Sequence, residues 1–272
     1  MCYSMFKEKN MKNIANIKTD NYVYNHIIYD STTDKYFSNH SHALYEMIYV
    51  LNGQVEYTVE DKKYIVNKNN LIFIKPYTYH FFRITSDTNY EKIGMLFNPT
   101  ELGIDLNCLE SICEVIDCKN NNILESIFNR IAYYYATFPN DRFVELFLLI
   151  TKELVYNLTL IKQPLAINHY TTPILSPILK YINENIFTIK TLDEISKALN
   201  ISTSYLKSVF KRELKTQPKK YINEKRLLIA RQKILLGEKP TTISAQCGFE
   251  NYSTFYRAYS AYFGFPPSNK KI

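Results

Sequence analysis

Residues 243–259 read ISAQCGFENYSTFYRAY, and this stretch decides the fold of the C-terminal part of the chain. A short helix ends at Gly248, which can take the positive φ that a helix C-terminus needs. Asn251 then caps the next helix. On that helix Phe255 and Tyr259 fall on one side, with polar and basic side chains opposite. The stretch therefore predicts a helix, a tight turn and a second helix with a polar outer face.

A second segment with the same plan lies upstream, at residues 191–214. Thr191 and Glu194 have the spacing of a capping box and mark a helix start. After a turn at residues 200–202, the run 203–214 has the 3.6-residue period of a second helix. Its predicted apolar face consists of Tyr205, Leu206, Val209 and Phe210. Its predicted outer face consists of Ser204, Lys207, Ser208 and Lys211.

Residues 218–236, between the two segments, have the pattern of one straight helix, with Pro218 in its first turn and Gly237 just past its end. At 1.5 Å per residue this helix is roughly 28 Å long. That length approaches the ~34 Å pitch of B-form DNA once the flanking turns are added. One chain could therefore place two recognition helices in successive major grooves.

The run 243–259, with residues 264–267 closing it, resembles the signature of AraC/XylS-type transcription regulators, and residues 202–230 resemble the first motif and linker helix of that family. By position, the resemblance implies base-reading side chains at Ser204, Lys207 and Ser208 in the first unit and at Tyr252, Ser253, Thr254, Tyr256 and Arg257 in the second. Lys211, on the outer face of the first unit, completes the predicted DNA-binding set. Lys215 departs from the pattern, because a glycine usually ends that recognition helix. The departure costs about 1 kcal/mol if the backbone there is left-handed.

Charge distinguishes the two halves of the chain. Residues 174–272 hold 17 Lys and Arg against 7 Asp and Glu, whereas residues 1–173 hold 16 against 19. The alternative is that the two predicted outer helices merely expose solvated charges, but that would not require one half of the chain to be basic and the other slightly acidic. A basic module joined to a slightly acidic one fits phosphate binding by one half only. We therefore expect residues 174–272 to bind double-stranded promoter DNA.

Residues 22–97 change to short alternating runs separated by polar turns, which is typical of a β-barrel or sandwich. The predicted strands are residues 21–29, 43–51, 54–60, 63–66, 71–75, 80–85 and 90–97. This part also resembles the two motifs of the cupin family, through His40, His42, Glu46, Gly53, Pro76 and His80. A cupin-like barrel commonly precedes the DNA-binding half in AraC/XylS-type regulators, so the two resemblances support each other.

The histidines of the cupin-like motif form a candidate ligand site. His40, His42 and Glu46 share parity, so an unbroken strand would aim all three at the barrel interior. His80 could join them from a neighbouring strand. Three nitrogens and a carboxylate could hold Fe, Mn, Ni or Zn. The favoured alternative is a small-molecule effector pocket without a metal cofactor. Weaker candidates for its mouth are Tyr45, Tyr77, Tyr79 and Arg83, whose alternative roles are ordinary sheet aromatics and a solvated arginine.

Residues 121–160 return to a helical period and predict an αα-hairpin broken at Pro139. It carries more apolar surface than one face of the barrel needs, so we expect part of it to pair with a second subunit, although core packing alone would also explain it. The whole is an α+β multidomain protein. Its predicted parts are a cupin-like effector-binding barrel at 1–108, a helical dimerisation segment at 109–160, a linker at 161–173 and a DNA-binding domain at 174–272.

The predicted function is sequence-specific regulation of transcription under the control of a small-molecule effector, without catalysis. The alternatives are a metal-responsive regulator and a metal-dependent cupin enzyme tethered to DNA. The first 13 residues carry several charges and do not resemble a signal peptide, and no apolar run approaches the ~20 residues of a membrane span. We therefore expect a cytoplasmic bacterial homodimer, with RNA polymerase as a further partner if it activates transcription.

Overall fold

The computed structural model describes residues 11–19, 21–30, 36–161 and 169–268. The strands are β1 Met11–Lys18, β2 Tyr22–Tyr29, β3 Tyr36–His40, β4 Tyr45–Asn52, β5 Gln54–Val59, β6 Lys62–Asn67, β7 Asn70–Ile74, β8 His80–Ile84, β9 Tyr90–Phe97, β10 Val115–Asp117 and β11 His169–Thr171. The helices are α1 Leu106–Glu110, α2 Asn122–Thr137, α3 Asn140–Thr159, α4 Leu175–Glu184, α5 Leu192–Ala198, α6 Thr203–Glu213, α7 Pro218–Leu235, α8 Pro240–Gln246 and α9 Tyr252–Phe263.

The N-terminal domain is built from two facing antiparallel sheets. One has the strand order β1-β2-β9-β4-β7-β10, and the other has the order β11-β6-β5-β8-β3. Side chains alternate across each strand, so every second residue enters the space between the sheets. On β4, for example, Ile48 and Val50 belong to the core between the sheets, whereas Met47 and Tyr49 belong to a second core on the other face. The predicted β-barrel is therefore confirmed.

The second core of the N-terminal domain lies between the first sheet and the helical hairpin of α2 and α3. The ring of Tyr49 on β4 stacks on that of Phe128 on α2, with centroids 3.8 Å apart. Tyr24 on β2 contacts Phe143 and Phe147 of α3. The break between the two helices falls at Phe138 and Pro139, as the sequence predicts. This hairpin closes the outer face of the sheet.

Two strands lie in segments that the sequence analysis predicted to be helical or a linker. β10 pairs with β7 although it lies beyond residue 108, so the first sheet extends into the segment predicted to be helical. β11, inside the predicted linker 161–173, pairs with β6. The end of this segment is therefore attached to the barrel and is not a free spacer, while residues 162–168 lie outside the described residues. β1 and β3 were missed as well.

The C-terminal domain contains the two predicted helix–turn–helix units, α5–α6 and α8–α9, on either side of α7. Thr191 and Asn251 cap α5 and α9 through their side chains, as expected. Lys215 has a φ of +53°, so the left-handed cap suspected there is present. The prediction that Tyr205 lies on the apolar face of α6 is wrong, because 41% of its surface is exposed. Within the described residues, no helix is long and apolar enough to cross a membrane.

The two domains are in contact. Tyr79 and Phe81, from the barrel, belong to the same buried cluster as α4, α6 and the first half of α7. Tyr77 packs against a further cluster made by α8, α9 and the second half of α7. One edge of the barrel therefore contacts both helix–turn–helix units.

Candidate DNA-binding and ligand-binding sites

The first recognition helix, α6, has a buried face and a charged outer face. Leu206, Val209 and Phe210 are buried in the core of the domain. Thr203 donates a hydrogen bond to Asp193 of α5 at 2.7 Å and fixes the angle between the two helices. The residues predicted to contact DNA, Ser204, Lys207, Ser208 and Lys211, are all exposed. The structure therefore leaves this face open to a duplex.

The second recognition helix, α9, is arranged in the same way. Phe255, Tyr259 and Phe263 are buried, and the cap at Asn251 accepts a hydrogen bond from the Thr254 amide at 2.8 Å. The predicted contact residues Tyr252, Ser253, Thr254, Tyr256 and Arg257 are exposed. Within the described part of the chain, no ion pair involves Lys207, Lys211 or Arg257. These cations are therefore available to phosphates or base edges. Their contacts with particular bases stay a prediction.

The sequence analysis gave no role to Arg226, which lies in the stretch that resembles the family's linker helix and joins the two units. From the buried face of α7, its guanidinium donates to the carbonyls of Ile186 at 2.7 Å, Ile189 at 2.5 Å and Gly248 at 3.1 Å. Gly248 also has a φ of +77°, and a Cβ there would lie 2.5 Å from the Phe187 carbonyl oxygen. Arg226 thus ties the loop after α4 to the turn of the second unit. An arginine within an apolar helix face is the signal that could have revealed it.

In the barrel, the four residues of the cupin-like motif come together at one end. His40 at the end of β3 is the cross-strand partner of His80 on β8, and their ring centroids lie 4.3 Å apart. Glu46 reaches them from β4 in the opposite sheet, and His42 lies in the connection between the sheets. One potential metal-ligand atom of each residue lies within 4.8 Å of the others. The predicted convergence is present, although the strand that was assumed to carry it breaks after His40.

The carboxylate of Glu46 is the centre of this cluster, which we call the His/Glu cluster (His40, His42, Glu46 and His80). Its Oε2 lies 2.9 Å from His42 Nε2 and 3.1 Å from His80 Nε2. Burial alone would raise the pKa of Glu46, but the hydrogen bond with His42 and the charges of His42 and His80 lower that pKa well below its usual range. The cluster therefore contains an ionised carboxylate that is 2% exposed. Such a group requires positive charge beside it.

The structure does not place the four weaker pocket candidates in the cluster. Tyr45 lies on the opposite face of β4, where its ring contacts Phe73 and Phe97. Tyr77 and Tyr79 face the DNA-binding domain and contribute to the domain interface. Arg83 lies beside Glu56, at 3.5 Å, on the outer face of the second sheet. Alternation along β4 itself places Tyr45 on the face opposite Glu46, and no local pattern could show that the second domain covers the other two tyrosines.

Comparison with known proteins assigns a family to this arrangement. A family model described as an AraC-like ligand binding domain matches residues 25–111, and one described as a helix-turn-helix domain matches residues 195–271. The chain therefore has the two domains of an AraC-type transcription regulator. It is a DNA-binding regulator of transcription with an N-terminal ligand-binding domain, as the sequence predicts.

Relatives that match over most of this chain are also named as transcription regulators. The HTH-type transcriptional regulator YdiP of Escherichia coli is 23% identical over 239 residues, covering 82% of this chain and 77% of the relative. YobQ of Bacillus subtilis, also an HTH-type transcriptional regulator, is 22% identical over 237 residues, which are 87% of this chain and 89% of the relative. A crystal structure of ToxT from Vibrio cholerae matches 93% of this chain and 97% of its own chain, with a TM-score of 0.43 and 14% sequence identity.

A polar hub at Glu60 connects the two domains of the regulator. Its carboxylate accepts hydrogen bonds from the Tyr221 hydroxyl at 2.6 Å and the Tyr79 amide at 3.0 Å, and it pairs with Lys225 at 2.9 Å. Tyr221 and Lys225 lie on α7, the helix between the two helix–turn–helix units. Lys63 of β6 adds an ion pair to Glu213 of α6 at 3.1 Å. Sequence reasoning missed this hub because nothing in a local pattern shows which charges meet across domains.

Lys92 is a further residue that the sequence analysis missed. It lies on β9 with its side chain in the barrel interior, where only 8% of the residue is exposed and the ammonium lies 5.3 Å from the centroid of the Phe82 ring. Burial lowers the pKa of Lys92, while the charge of Glu46 opposes that effect. The barrel interior thus holds a buried cation in addition to the His/Glu cluster.

Proposed function

We propose that ligand binding in the N-terminal barrel controls how the two helix–turn–helix units are presented to promoter DNA. The observation that carries this proposal is the polar hub at Glu60, because one carboxylate of the barrel holds two residues of α7. α7 in turn determines the relative position of the two units through Arg226. A ligand that favours one packing of this interface over another will shift the DNA-binding equilibrium, since only differential affinity moves a two-state system.

Measuring promoter affinity with and without candidate ligands tests the proposal. The duplex can be selected by the full-length protein from random sequence, and its dissociation constant measured by fluorescence anisotropy. We expect one ligand class to change the constant at least about fivefold, which is typical of allosteric coupling. Equal affinity across a broad panel of metabolites and metal ions would remove the support for ligand control while leaving DNA binding in place.

We also propose that the regulator acts as a homodimer through α3. Its outer face exposes Leu149, Tyr156 and Leu160, which are 68%, 42% and 76% exposed and lie seven and four residues apart. Residues with that spacing share one helix face. A second copy is the occupant that fits a protein whose DNA sites would be arranged as paired half-sites. Sedimentation equilibrium of the purified protein measures this directly.

This proposal assigns no catalytic step to the barrel. As a promoter-binding regulator, the protein would act in the cytoplasm, with RNA polymerase as a partner if it activates transcription. A metal-dependent enzyme tethered to DNA is the second class that the His/Glu cluster supports. Turnover of an organic substrate by the purified, metal-loaded protein would favour that class.

A further inference from the structure

Two imidazoles of the His/Glu cluster, those of His42 and His80, contact backbone carbonyls through Nδ1. His42 Nδ1 lies 2.8 Å from the Leu44 carbonyl oxygen, and His80 Nδ1 lies 2.9 Å from the Thr78 carbonyl oxygen. A carbonyl oxygen only accepts hydrogen bonds, so the proton of each neutral ring lies on Nδ1. In the neutral form of each ring, Nε2 therefore carries a lone pair that can bind a cation, whereas in the imidazolium form Nε2 carries a proton that it can donate to Glu46. Backbone carbonyls fix metal-binding histidines in the same way.

Both Nε2 atoms face the same carboxylate oxygen. Oε2 of Glu46 lies 2.9 Å from His42 Nε2 and 3.1 Å from His80 Nε2, and the Glu46 and His80 side chains are 3% and 2% exposed. Among the described residues, His80 Nε2 has no hydrogen-bond partner, because its geometry towards the carboxylate is not that of a hydrogen bond. The buried carboxylate needs a positive charge beside it, which either protonated rings or a bound cation would supply. A divalent cation bound by His42, Glu46 and His80 would take the place of the Nε2 protons and would give His80 Nε2 the partner that it lacks in the described ranges of the chain.

His40 supplies a fourth donor, and the spacing of the set fits an ion. The four donor atoms lie within 4.8 Å of one another. A tetrahedral ion with bonds of about 2.1 Å holds its ligand atoms roughly 3.4 Å apart, so small movements of the rings would complete the coordination. Three imidazoles and one carboxylate suit first-row divalent transition metals better than Mg²⁺ or Ca²⁺, which prefer oxygen.

We propose that His40, His42, Glu46 and His80 bind one divalent transition-metal ion, and that this ion is the ligand through which the barrel controls DNA binding. The second half of this inference rests on the proposed function, since it names the ligand of the same domain. The first half rests on the geometry of the cluster alone.

The segment that carries two of the ligands also contacts both helix–turn–helix units. We call residues 39–42 the strap. At its start, the Asn39 side-chain amide donates to the carbonyls of Leu214, at 3.0 Å, and Lys215, at 2.6 Å. These carbonyls lie at the C-terminal end of α6, where a helix leaves its carbonyls without intrahelical partners. The barrel therefore caps the first recognition helix.

The same strap reaches the second recognition helix. The Ser41 carbonyl accepts a hydrogen bond from the Tyr262 hydroxyl of α9 at 3.4 Å. His40 and His42 therefore alternate along the chain with the two residues that contact α6 and α9. The contacts to the ion and to the DNA-binding domain lie on adjacent residues of one short segment, so a backbone shift that brings His40 or His42 towards the ion changes those contacts as well. This connection makes metal binding and DNA binding mutually dependent.

Titration of the full-length protein with Co²⁺ tests the metal site, because Co²⁺ bound by nitrogen and oxygen ligands has visible absorbance. The wild-type protein should bind one Co²⁺ per chain. His80→Gln and His42→Gln should bind it at least about 100-fold more weakly, since each loses a ligand. His26→Ala is the matched control, because His26 pairs with Glu91 at 2.7 Å outside the cluster and should leave binding unchanged. Circular dichroism of each variant establishes that it is folded.

Either of two results would overturn the metal site. One is a wild-type protein that shows no saturable binding of Co²⁺ at one equivalent. The other is a folded His42→Gln variant that binds Co²⁺ as tightly as wild type. If the wild-type protein still bound its selected duplex in these cases, the proposed function would stand and only the metal ion would be rejected.

The coupling is tested by measuring the affinity for the selected duplex with and without one equivalent of Co²⁺ or Zn²⁺. We expect at least about a fivefold change for wild type and His26→Ala, and none for His42→Gln. Saturation with metal that leaves the wild-type affinity unchanged would overturn the role of the ion in control. Loss of all sequence preference in the metal-free and metal-bound protein alike would instead refute the proposed function.

Discussion

Replacing Glu60 with alanine should uncouple the two domains without unfolding either of them. The substitution removes one acceptor shared by Tyr221, Tyr79 and Lys225. A hydrogen bond to a charged group contributes about 1.5–3 kcal/mol. The Glu60 and Lys225 side chains are 18% and 12% exposed, so solvent weakens the ion pair and the sum is smaller than for a fully buried set. We therefore expect a loss of about 2–4 kcal/mol from the domain interface.

Calorimetry of the full-length protein measures this loss. The wild-type domains should unfold together, whereas in Glu60→Ala the two transitions should separate and the radius of gyration from small-angle scattering should increase. Glu91→Ala is a matched control, because Glu91 forms its ion pair with His26 within the N-terminal domain. Glu60→Gln retains an acceptor and should lose only about 1–2 kcal/mol. A Glu60→Ala protein with the thermogram and radius of wild type would refute the role assigned to this hub.

Three further predictions concern single positions. Lys215→Gly should stabilise the protein by about 0.5–1 kcal/mol, because glycine adopts the observed φ of +53° without strain, and a lowered Tm would contradict this. Lys92→Met should raise the Tm at pH 7, since it removes a buried ammonium. Because burial lowers the pKa of Lys92 below 10.5, the unfolded state binds more protons below that pH, so the advantage of the variant should shrink as the pH rises towards 10.5. Leu149→Glu should shift a sedimentation-equilibrium profile towards monomer, and an unchanged profile would place any dimer contact elsewhere.

The DNA-binding domain could be predicted almost completely from the sequence. Its helices have clear caps at Thr191 and Asn251, and each buries a regular apolar stripe, so local pattern and tertiary packing agree. The backbone at Lys215 also agrees with the family pattern. A glycine usually occupies this position, and the left-handed conformation is present although the residue is lysine. Tyr205 is the exception, because a helical period gives the face of a residue but not how far the core extends.

The barrel was predicted less completely, for physical reasons that differ from one element to the next. β1 exposes most of its residues and therefore lacks the apolar alternation that identifies a strand. β11 has three residues and forms only because β6 offers an edge. The convergence of His40 and Glu46 was predicted from parity along one strand, yet the chain crosses from one sheet to the other between them. Contacts such as Glu60 with Tyr221 connect residues far apart in the chain, and no local period predicts them.

Base preference in selected DNA tests the central claim most directly. Wild-type protein, Lys207→Ala and Arg257→Ala are each used to select duplexes from random sequence, and the preference at every position is compared. Lys207 represents the exposed face of α6, and Arg257 represents that of α9. Each variant should lose about 1–3 kcal/mol of discrimination at one position, and the two affected positions should lie about 10 base pairs apart. Uniform weakening at all positions would contradict the account. Loss of preference at the same base-pair position in both variants would contradict it as well.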